Sequence, residues 1–491
     1  MKIKYLPVIL GIAALLLLSC EESNSSSSGG GQFPSTPQYK TFRAQDGRDD
    51  SFYNVQAQLL YEGTNCNIWG EVASNVDPNI AKNMANTYDN SIFPKMINAF
   101  NAGVNFTEGG KVVARNPMEL ADYFGDMDGK LCILLLDIKD NYGVGGNYSY
   151  VAGYFYPIDI FSKTAFANSN ECDMIYIDVN PGVPGSEQVH NTLAHEMQHL
   201  MNFSLSYAGR SNIMDTWIDE GLANVSEWIW NGKHNVDRID WYIEDPCGTI
   251  KQGNNFYVWD NYTSSNESII LDDYSTVYLF FNWLRLQAGG MDIYKNIIYS
   301  TYYDYRAVTV AANAAMSGKG YSNWGTLLKT WLAANYINAP SGSYGYRNDS
   351  AFAQIQGKIL SGSGSFNLSP GEGIYTTKKT MPSATSNIKY AGLPVKGSTL
   401  APDDTDASGS SALLSYNVDT NVNGSFSPSS PFSVETTFSK ELDYMNTISP
   451  NLGQQLLMRP YPISMRDMLS RNGHEDNFDF SQLRRVIKFN E

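Results

Sequence analysis

His195-Glu196-Met197-Gln198-His199 is the most informative segment of this chain. Positions i and i+4 of an α-helix lie on one face, so His195 and His199 can present imidazole nitrogens to the same metal ion. Glu196 follows one step round the helix and can reach a water molecule held at an open coordination position. The segment therefore predicts a helix that carries two zinc ligands, with Glu196 as the general base.

A catalytic zinc ion needs a third protein ligand, and a second segment supplies a candidate. It reads Trp217-Ile218-Asp219-Glu220-Gly221-Leu222-Ala223. Apolar residues recur along it at helical spacing, which predicts a second helix. Glu220 is the predicted third ligand. The small residues Gly221 and Ala223 beside it are expected to permit close approach to the first helix.

The alternative to a metal site is a surface helix with two unrelated histidines. The chain has only five histidines among 491 residues, so two of them at helical spacing around an acidic residue rarely occur by chance. Apolar neighbours also favour a buried helix, and these are Leu193, Ala194, Met197, Leu200 and Met201. We predict one catalytic zinc ion on His195, His199 and Glu220. Asp219 and Asn224 are candidates for orienting either histidine.

Hydrophobic patterning places this site behind a strand-rich region. Strand-like stretches occupy residues 53–61, 67–72, 131–138, 151–156 and 173–179. Helical spacing is found over residues 79–100, 188–203, 217–230, 274–286, 292–301 and 324–334, with one break expected in the first of these. The predicted fold class is α+β, with a small mixed sheet and the motif helix followed by a mainly helical half.

Composition and charge restrict the partners of the chain. Its formal net charge of −16 disfavours nucleic-acid binding. Lys2 and Lys4 precede an apolar run too short to span a bilayer, which indicates an export signal. The run ends at Leu17-Leu18-Ser19-Cys20, which resembles a bacterial lipobox, although Leu18 replaces the small residue that is usual there. We expect a cell-envelope lipoprotein, anchored through lipidated Cys20 in the outer membrane or at the cell surface. Plain secretion is the alternative.

Two features outside the motif leave alternatives open. Cys66, Cys132, Cys172 and Cys247 could form disulfides in an exported protein, or could be buried free thiols. The segment Asp126-Met127-Asp128-Gly129 is similar to the start of a calcium loop, but no glutamate falls at the closing position. An ordinary turn is therefore the interpretation that we favour for this segment.

His195-Glu196-x-x-His199 with Trp217-x-x-Glu220-Gly221-x-Ala223 resembles the gluzincin metallopeptidases. From about residue 128 to residue 230 the chain more narrowly resembles the hyicolysin-type family. The resemblance rests on the motif and on Leu136-Asp137-Ile138, Gly153-Tyr154-Phe155 and Tyr176-Ile177-Asp178. It implies a thermolysin-like catalytic fold, one zinc ion and hydrolysis of peptide bonds. No Gly-x-Met-Glu-Asn exopeptidase signature precedes the motif, which favours an endopeptidase. The interval between His199 and Glu220 is longer than in the aminopeptidase pattern, so that loop must differ.

The resemblance also implies a second group that stabilises the oxyanion. In gluzincins this group is often a Tyr or His on a later helix. Tyr274 and Tyr278 occupy a similar place, and Tyr274 is our candidate catalytic residue. With 32 tyrosines in the chain, a packing role is the alternative for each of them.

These interpretations divide the chain into five parts. They are a lipoprotein signal peptide (1–19), a Ser/Gly-rich tether (20–40), a β-rich and helical region (41–125), a zinc metallopeptidase catalytic region (126–338) and a C-terminal region that is β-rich or partly disordered (339–491). The expected function is a membrane-tethered zinc metalloendopeptidase that hydrolyses extracytoplasmic proteins or peptides through a zinc-activated water. The alternatives are a non-catalytic adhesin on a metallopeptidase scaffold and a zinc hydrolase of a non-peptide bond.

Overall fold

The computed structural model describes residues 30–49, 51–108, 111–144, 150–208, 213–246, 248–253, 256–259, 270–360, 364–366, 368–421 and 432–434. The predicted signal peptide with Cys20, the first part of the tether, Cys247 and the C-terminal stretch 435–491 lie outside this part of the chain.

A six-stranded mixed sheet forms the first layer of the fold. Its strands are β1 (Tyr39–Gln45), β2 (Phe52–Glu62), β3 (Cys66–Glu71), β6 (Leu131–Leu136), β7 (Gly153–Tyr154) and β8 (Met174–Asp178), while β4 (Val104–Glu108) and β5 (Lys111–Arg115) form a separate hairpin. The order is β1-β2-β3-β6-β8-β7, with β3, β6 and β8 parallel. Every residue of β6 and β8 is buried, as expected for central parallel strands.

Three short helices accompany the strands that precede the motif. They are α1 (Pro78–Thr87), α2 (Phe93–Phe100) and α3 (Pro117–Phe124). A single π-helical turn, Tyr88–Ile92, separates α1 from α2 and accounts for the break that the sequence indicated there. The side chain of Asn116 caps α3 through the backbone amides of Met118 and Glu119, and the side chain of Glu119 completes the capping box.

The motif lies on a long helix, α4 (Glu187–Ala208), and the second segment lies on α5 (Thr216–Asn231). Both are largely buried, including many of their polar side chains, as expected for central helices that carry a site. Strand β7 approaches α4 closely because residue 153 is glycine. A Cβ atom at Gly153 would lie 2.8 Å from Cγ2 of Thr192, so a larger residue would push the strand away from the motif helix.

The half of the chain after α5 is mainly helical, as predicted. Its helices are α6 (Val236–Glu244), α7 (Ile270–Ala288), α8 (Asp292–Ile298), α9 (Tyr305–Ala315) and α10 (Trp324–Ile337). The role expected of Gly221 is wrong. A Cβ atom there would lie 2.3 Å from the ring of Phe281, so the glycine makes room for α7 and not for α4.

A smaller sheet follows the helices. Its strands are β9 (Ile359–Leu360), β11 (Gly373–Thr376), β12 (Ile388–Leu393) and β13 (Ala412–Asn417), and β10 (Gly364–Phe366) pairs separately with β14 (Phe432–Val434). This sheet packs on α10, with Tyr375 and Leu414 in the same core as that helix. The predicted α+β class, with a mixed sheet, a motif helix, a mainly helical half and further strands, is confirmed.

Candidate metal centre

The two histidines of the motif lie where helical geometry predicts. His195 and His199 are one turn apart on α4, and the centroids of their rings are 5.0 Å apart. Both are buried, with 5% and 6% of their side-chain surfaces exposed. The Nε2 atoms of both rings have no hydrogen-bond partner among the described residues. Because burying a polar atom without a partner costs free energy, these atoms are positioned to hold a ligand.

Glu220 completes the set from α5. Its side chain is 1% exposed, and its Oε2 lies 3.3 Å from Nε2 of His195 and 3.6 Å from Nε2 of His199. Bonds of about 2.0–2.2 Å from zinc to nitrogen and oxygen place neighbouring ligand atoms of a tetrahedral site about 3.4 Å apart. Both distances match this value. The three side chains therefore fit a zinc ion in spacing and in donor type.

Asp219 fixes the orientation of His199. Nδ1 of His199 donates a hydrogen bond to Oδ2 of Asp219 at 2.8 Å, which leaves Nε2 facing Glu220. The amide of Asn202 donates to the other oxygen of Asp219. Asn224, the other candidate from the sequence, instead donates to the backbone carbonyl of Glu220 at 2.8 Å. Of the two candidates, it is Asp219 that contacts a histidine of the motif.

The partner of His195 is Glu227, which sequence reasoning misses. Oε1 of Glu227 lies 3.3 Å from Nδ1 of His195. The amide of Asn235 donates to Oε2 of Glu227 at 3.0 Å and holds the carboxylate in place. Glu227 follows Glu220 by seven residues, which places both on one face of α5. This spacing is the signal that could have found it.

Carboxylates surround the imidazoles and make the site attractive to a cation. Burial alone would raise the pKa of Glu220, but the two histidines overcome this effect and hold its pKa at about 2. Burial alone would lower the pKa of each imidazole. Glu220 and Glu227 nevertheless raise the pKa of His195, and Asp219 and Glu220 raise that of His199 well above its ordinary value. The carboxylates thus favour a positive charge at this place, and a bound metal ion would provide one.

Glu196 lies beside the ligands and is 1% exposed. Its Oε2 has no hydrogen-bond partner among the described residues. Burial raises the pKa of Glu196, while His199, His195 and the backbone amide of Phe155 lower it. A carboxylate with a raised pKa and a free oxygen next to a metal site has the properties of a general base.

Comparison with known proteins agrees with this geometry. No family model matches the chain. The neutral metalloprotease ShpI of Staphylococcus hyicus is 30% identical to it over 269 residues, which is 53% of this chain and 54% of that protein. The chain therefore spans about half the length of this curated relative. The homology and the His-His-Glu group together point to one family. Both findings support a zinc metallopeptidase family for this chain. The α+β architecture is consistent with a thermolysin-like metalloprotease domain.

A cavity of about 880 Å³ lies beside the candidate metal centre. Thr192 of α4 lines it one turn before the motif, and Glu227, which contacts His195, lines it from α5. The other lining residues are Tyr150, Pro181, Glu187, Gln188, Asn191, Asn231, Lys233, His234, Asn235, Val236, Asp237, Arg238, Ser350 and Ala351. A cavity of this volume is in the size range of sites that hold small ligands.

Tyr274 lies in the second turn of α7 and is fully buried. Its ring packs edge-on against Trp259 at 5.0 Å, and the guanidinium of Arg238 lies 4.6 Å from the ring centroid. Burial lowers the pKa of Arg238, and the negative charge of Glu227 opposes this effect. Arg238 therefore contacts the ring of Tyr274 and interacts with Glu227 through charge alone. The catalytic role of Tyr274 stays a prediction.

Tyr278, the other candidate on α7, contacts His234 at the wall of the cavity. Its hydroxyl lies 3.0 Å from Nδ1 of His234 and accepts the backbone N–H of Asn235 at 3.0 Å. Nε2 of His234 lies 3.3 Å from a carboxylate oxygen of Asp349. These contacts give Tyr278 a role in holding the turn before α6 that carries His234 and Asn235.

Replacing Asp219 with asparagine is expected to weaken zinc binding about 10–100-fold, because the charged partner that orients His199 is lost. Competition with a chromophoric chelator measures the change. Asp240→Asn makes the same chemical change at an exposed position of α6 and is the matched control. An Asp219→Asn variant that binds zinc as tightly as this control would contradict the orienting role.

Proposed function

We propose that this protein is a zinc-dependent metalloendopeptidase that hydrolyses proteins or peptides outside the cytoplasm. The observation that carries the proposal is the convergence of His195, His199 and Glu220, whose unpartnered donor atoms lie at zinc-ligand spacing beside the carboxylate of Glu196. The metalloprotease homologue supports peptide bonds as the substrate class.

The metal would be held by His195, His199 and Glu220. When bound, zinc supplies a Lewis acid that polarises the carbonyl of the scissile bond and lowers the pKa of water. Asp219 and Glu227 keep the two imidazoles turned toward Glu220, so that the ligand atoms need no rearrangement. This preorganisation is the contribution of α5 to the reaction.

The proton transfers are assigned to Glu196. Hydrolysis requires water to attack the carbonyl carbon, and the unpartnered oxygen of Glu196 supports its assignment as the acceptor of the proton that the water gives up. The same proton then passes to the nitrogen of the departing amine, and Glu196 returns to its carboxylate form. Burial raises the pKa of Glu196 toward the working pH, which favours both transfers. We further propose that Tyr274 donates a hydrogen bond to the oxyanion.

The place of action is also a proposal. Among the described residues, no helix combines the length and the apolar character that crossing a membrane requires. We propose export through residues 1–19 and anchoring through lipidated Cys20, on the strength of the charged start, the short apolar run and the lipobox-like end of that segment.

Zinc content and peptide-library cleavage, measured together, test the function. We expect one zinc ion per chain, hydrolysis at internal bonds of the library, loss of hydrolysis with a zinc chelator and its return when zinc is restored. The same protein without residues 1–20 is used for every arm. A fully zinc-loaded protein that cleaves nothing in the library would contradict the proposal and would favour the adhesin alternative.

A further inference from the structure

A second group of acidic side chains lies apart from the metal centre. Asp122 is in the last turn of α3, Asp126 follows it in the next turn of chain, and Asp173 directly precedes β8. One carboxylate oxygen from each of the three lies within 4.8 Å of the others. The fold thus brings together three carboxylates, one of which is about fifty residues from the other two in sequence.

The backbone around this group is built to hold the carboxylates close. A Cβ atom at Gly125 would lie 2.7 Å from the backbone nitrogen of Asp173, so only glycine allows the end of α3 to approach the start of β8 this closely. The backbone amide of Gly129 donates to Oδ1 of Asp122 at 2.7 Å, and that of Met127 donates to the carbonyl of Asp122 at 3.0 Å. These contacts fold the turn back over Asp122.

The group of three aspartates contains no cation that would balance its negative charge. Asp173 is 1% exposed, and its Oδ1 has no hydrogen-bond partner among the described residues. This oxygen belongs to a carboxylate that faces Asp122 and Asp126. Lys40 is the cation whose charge acts on Asp126, and within the described part of the chain it forms no ion pair with any of the three carboxylates. The buried, unpartnered oxygen indicates that a ligand belongs between the carboxylates.

The protonation behaviour of the group agrees with this geometry. Burial raises the pKa of Asp126 to about 6, and repulsion from Asp128 and Asp122 adds to the increase, while Lys40 opposes it. Burial also raises the pKa of Asp173 well above its ordinary value, and repulsion from Asp126 and Asp122 adds to it. Burial and mutual repulsion thus disfavour the ionised forms of Asp126 and Asp173, and a cation between the carboxylates would relieve both effects.

We propose that Asp122, Asp126 and Asp173 bind one divalent cation of the calcium type. Calcium takes oxygen ligands at about 2.3–2.6 Å, so the oxygens around one ion can lie up to about 5 Å apart. The three carboxylate oxygens lie within 4.8 Å of one another, which falls within this limit. An all-carboxylate donor set also favours a hard cation over zinc.

The ligand set differs from the linear pattern in the sequence. In a loop that begins Asp126-x-Asp128-Gly129, the second aspartate would be a ligand. Here Oδ1 of Asp128 accepts the backbone amide of Lys130 at 2.8 Å, and Oδ2 accepts the amide of Asn67 at 3.2 Å. Asp128 is therefore engaged in holding the turn, and the third carboxylate comes from Asp173.

A cation at this place would tie α3 and its turn to the central sheet. Phe124, which lies between Asp122 and Asp126, packs edge-on against Tyr207 with ring centroids 4.6 Å apart. Tyr207 is in the last turn of the motif helix α4. We infer that the cation stabilises the packing around the far end of α4 and leaves zinc occupancy unchanged.

Calcium titration of the zinc-saturated, full-length protein by isothermal titration calorimetry tests this site. We expect a calcium-binding event that Asp126→Asn weakens at least about tenfold, because one of three charged ligands is lost. Calcium should raise the Tm of the wild-type protein by a few degrees and should raise that of Asp126→Asn much less. Asp126 is exposed, so this variant is expected to fold, and its zinc content verifies that it does.

Asp240→Asn, the exposed aspartate of α6, is the matched control and should bind calcium like the wild-type protein. Asp173→Asn provides a second variant of the site, with the same expected loss. Absence of calcium binding by the wild-type protein at millimolar concentrations would overturn the proposal. Equal calcium affinity in Asp126→Asn and Asp240→Asn would place the cation elsewhere and would also overturn it.

Discussion

Replacing Glu196 with glutamine is expected to lower kcat for peptide hydrolysis about a thousandfold while zinc remains bound. Glutamine has nearly the shape of glutamate but cannot accept the proton from the attacking water. The side chain lies next to the ligands without being one of them, so the spacing of His195, His199 and Glu220 is preserved. Steady-state kinetics and zinc analysis on the same sample measure the two quantities.

Glu244→Gln is the matched control for this experiment, because Glu244 is exposed at the end of α6. It should keep both its turnover and its zinc. If Glu196→Gln retained full turnover with zinc in place, another group would have to accept the proton, and the mechanism proposed for Glu196 would be wrong. Loss of zinc from Glu196→Gln would instead show that Glu196 contributes to metal binding.

Replacing Glu220 with glutamine is expected to weaken zinc binding by more than about 100-fold, which exceeds the loss expected when an orienting residue is changed. The reason is electrostatic as well as geometric. The histidines hold the pKa of Glu220 at about 2 despite its burial, so the buried group is strongly stabilised as an anion. Glutamine removes the only negative charge among the three ligands.

Zinc retained after dialysis against buffers of defined free zinc measures this effect. Glu244→Gln again serves as the control and should retain the metal. Stoichiometric zinc in Glu220→Gln at the concentrations that saturate the wild-type protein would remove Glu220 from the ligand set. Hydrolysis should fall in parallel with zinc, since the proposed reaction would need the metal that Glu220 helps to hold as well as Glu196.

The sequence predicts those residues of the site whose spacing along a single helix is diagnostic. His195, Glu196 and His199 lie within one helical turn, and the apolar residues around them define α4 over most of its observed length. Glu220 is predicted from the pattern of its own segment, 217–223, and this prediction does not depend on how α4 and α5 cross. The predicted strand over 151–156 is shortened to Gly153–Tyr154 because only these two residues pair with β8.

The parts that sequence does not predict depend on contacts between distant elements. The hydrogen bond of Glu227 to His195 exists only because α5 crosses α4 at that point. Gly221 faces α7, and this choice is decided by the ring of Phe281. Helix α6, which carries Arg238, mixes apolar and charged residues over only nine positions, so its pattern is weak. Asp173 joins Asp122 only because the chain after α3 approaches the start of β8 at Gly125.

The state of the cysteines illustrates the same limit. Cys66, Cys132 and Cys172 are buried and free in the part of the chain that the structure describes. Cys132 and Cys172 lie in or beside neighbouring strands, where a thiol packs like a small apolar side chain. The number and spacing of the cysteines leave disulfides and free thiols as equal alternatives. Only the packing of the strands distinguishes the two states.

One helix supplies the third ligand and both orienting carboxylates, and this has a consequence for recognising distant relatives. Asp219, Glu220 and Glu227 keep a fixed spacing because α5 is a rigid rod. The string Asp-Glu followed seven residues later by a second Glu is thus a fingerprint that can be sought downstream of any His-Glu-x-x-His. Chains that carry both patterns should share the arrangement of this site, even where overall similarity has faded. Chains that carry the first pattern alone must orient their histidines by other means.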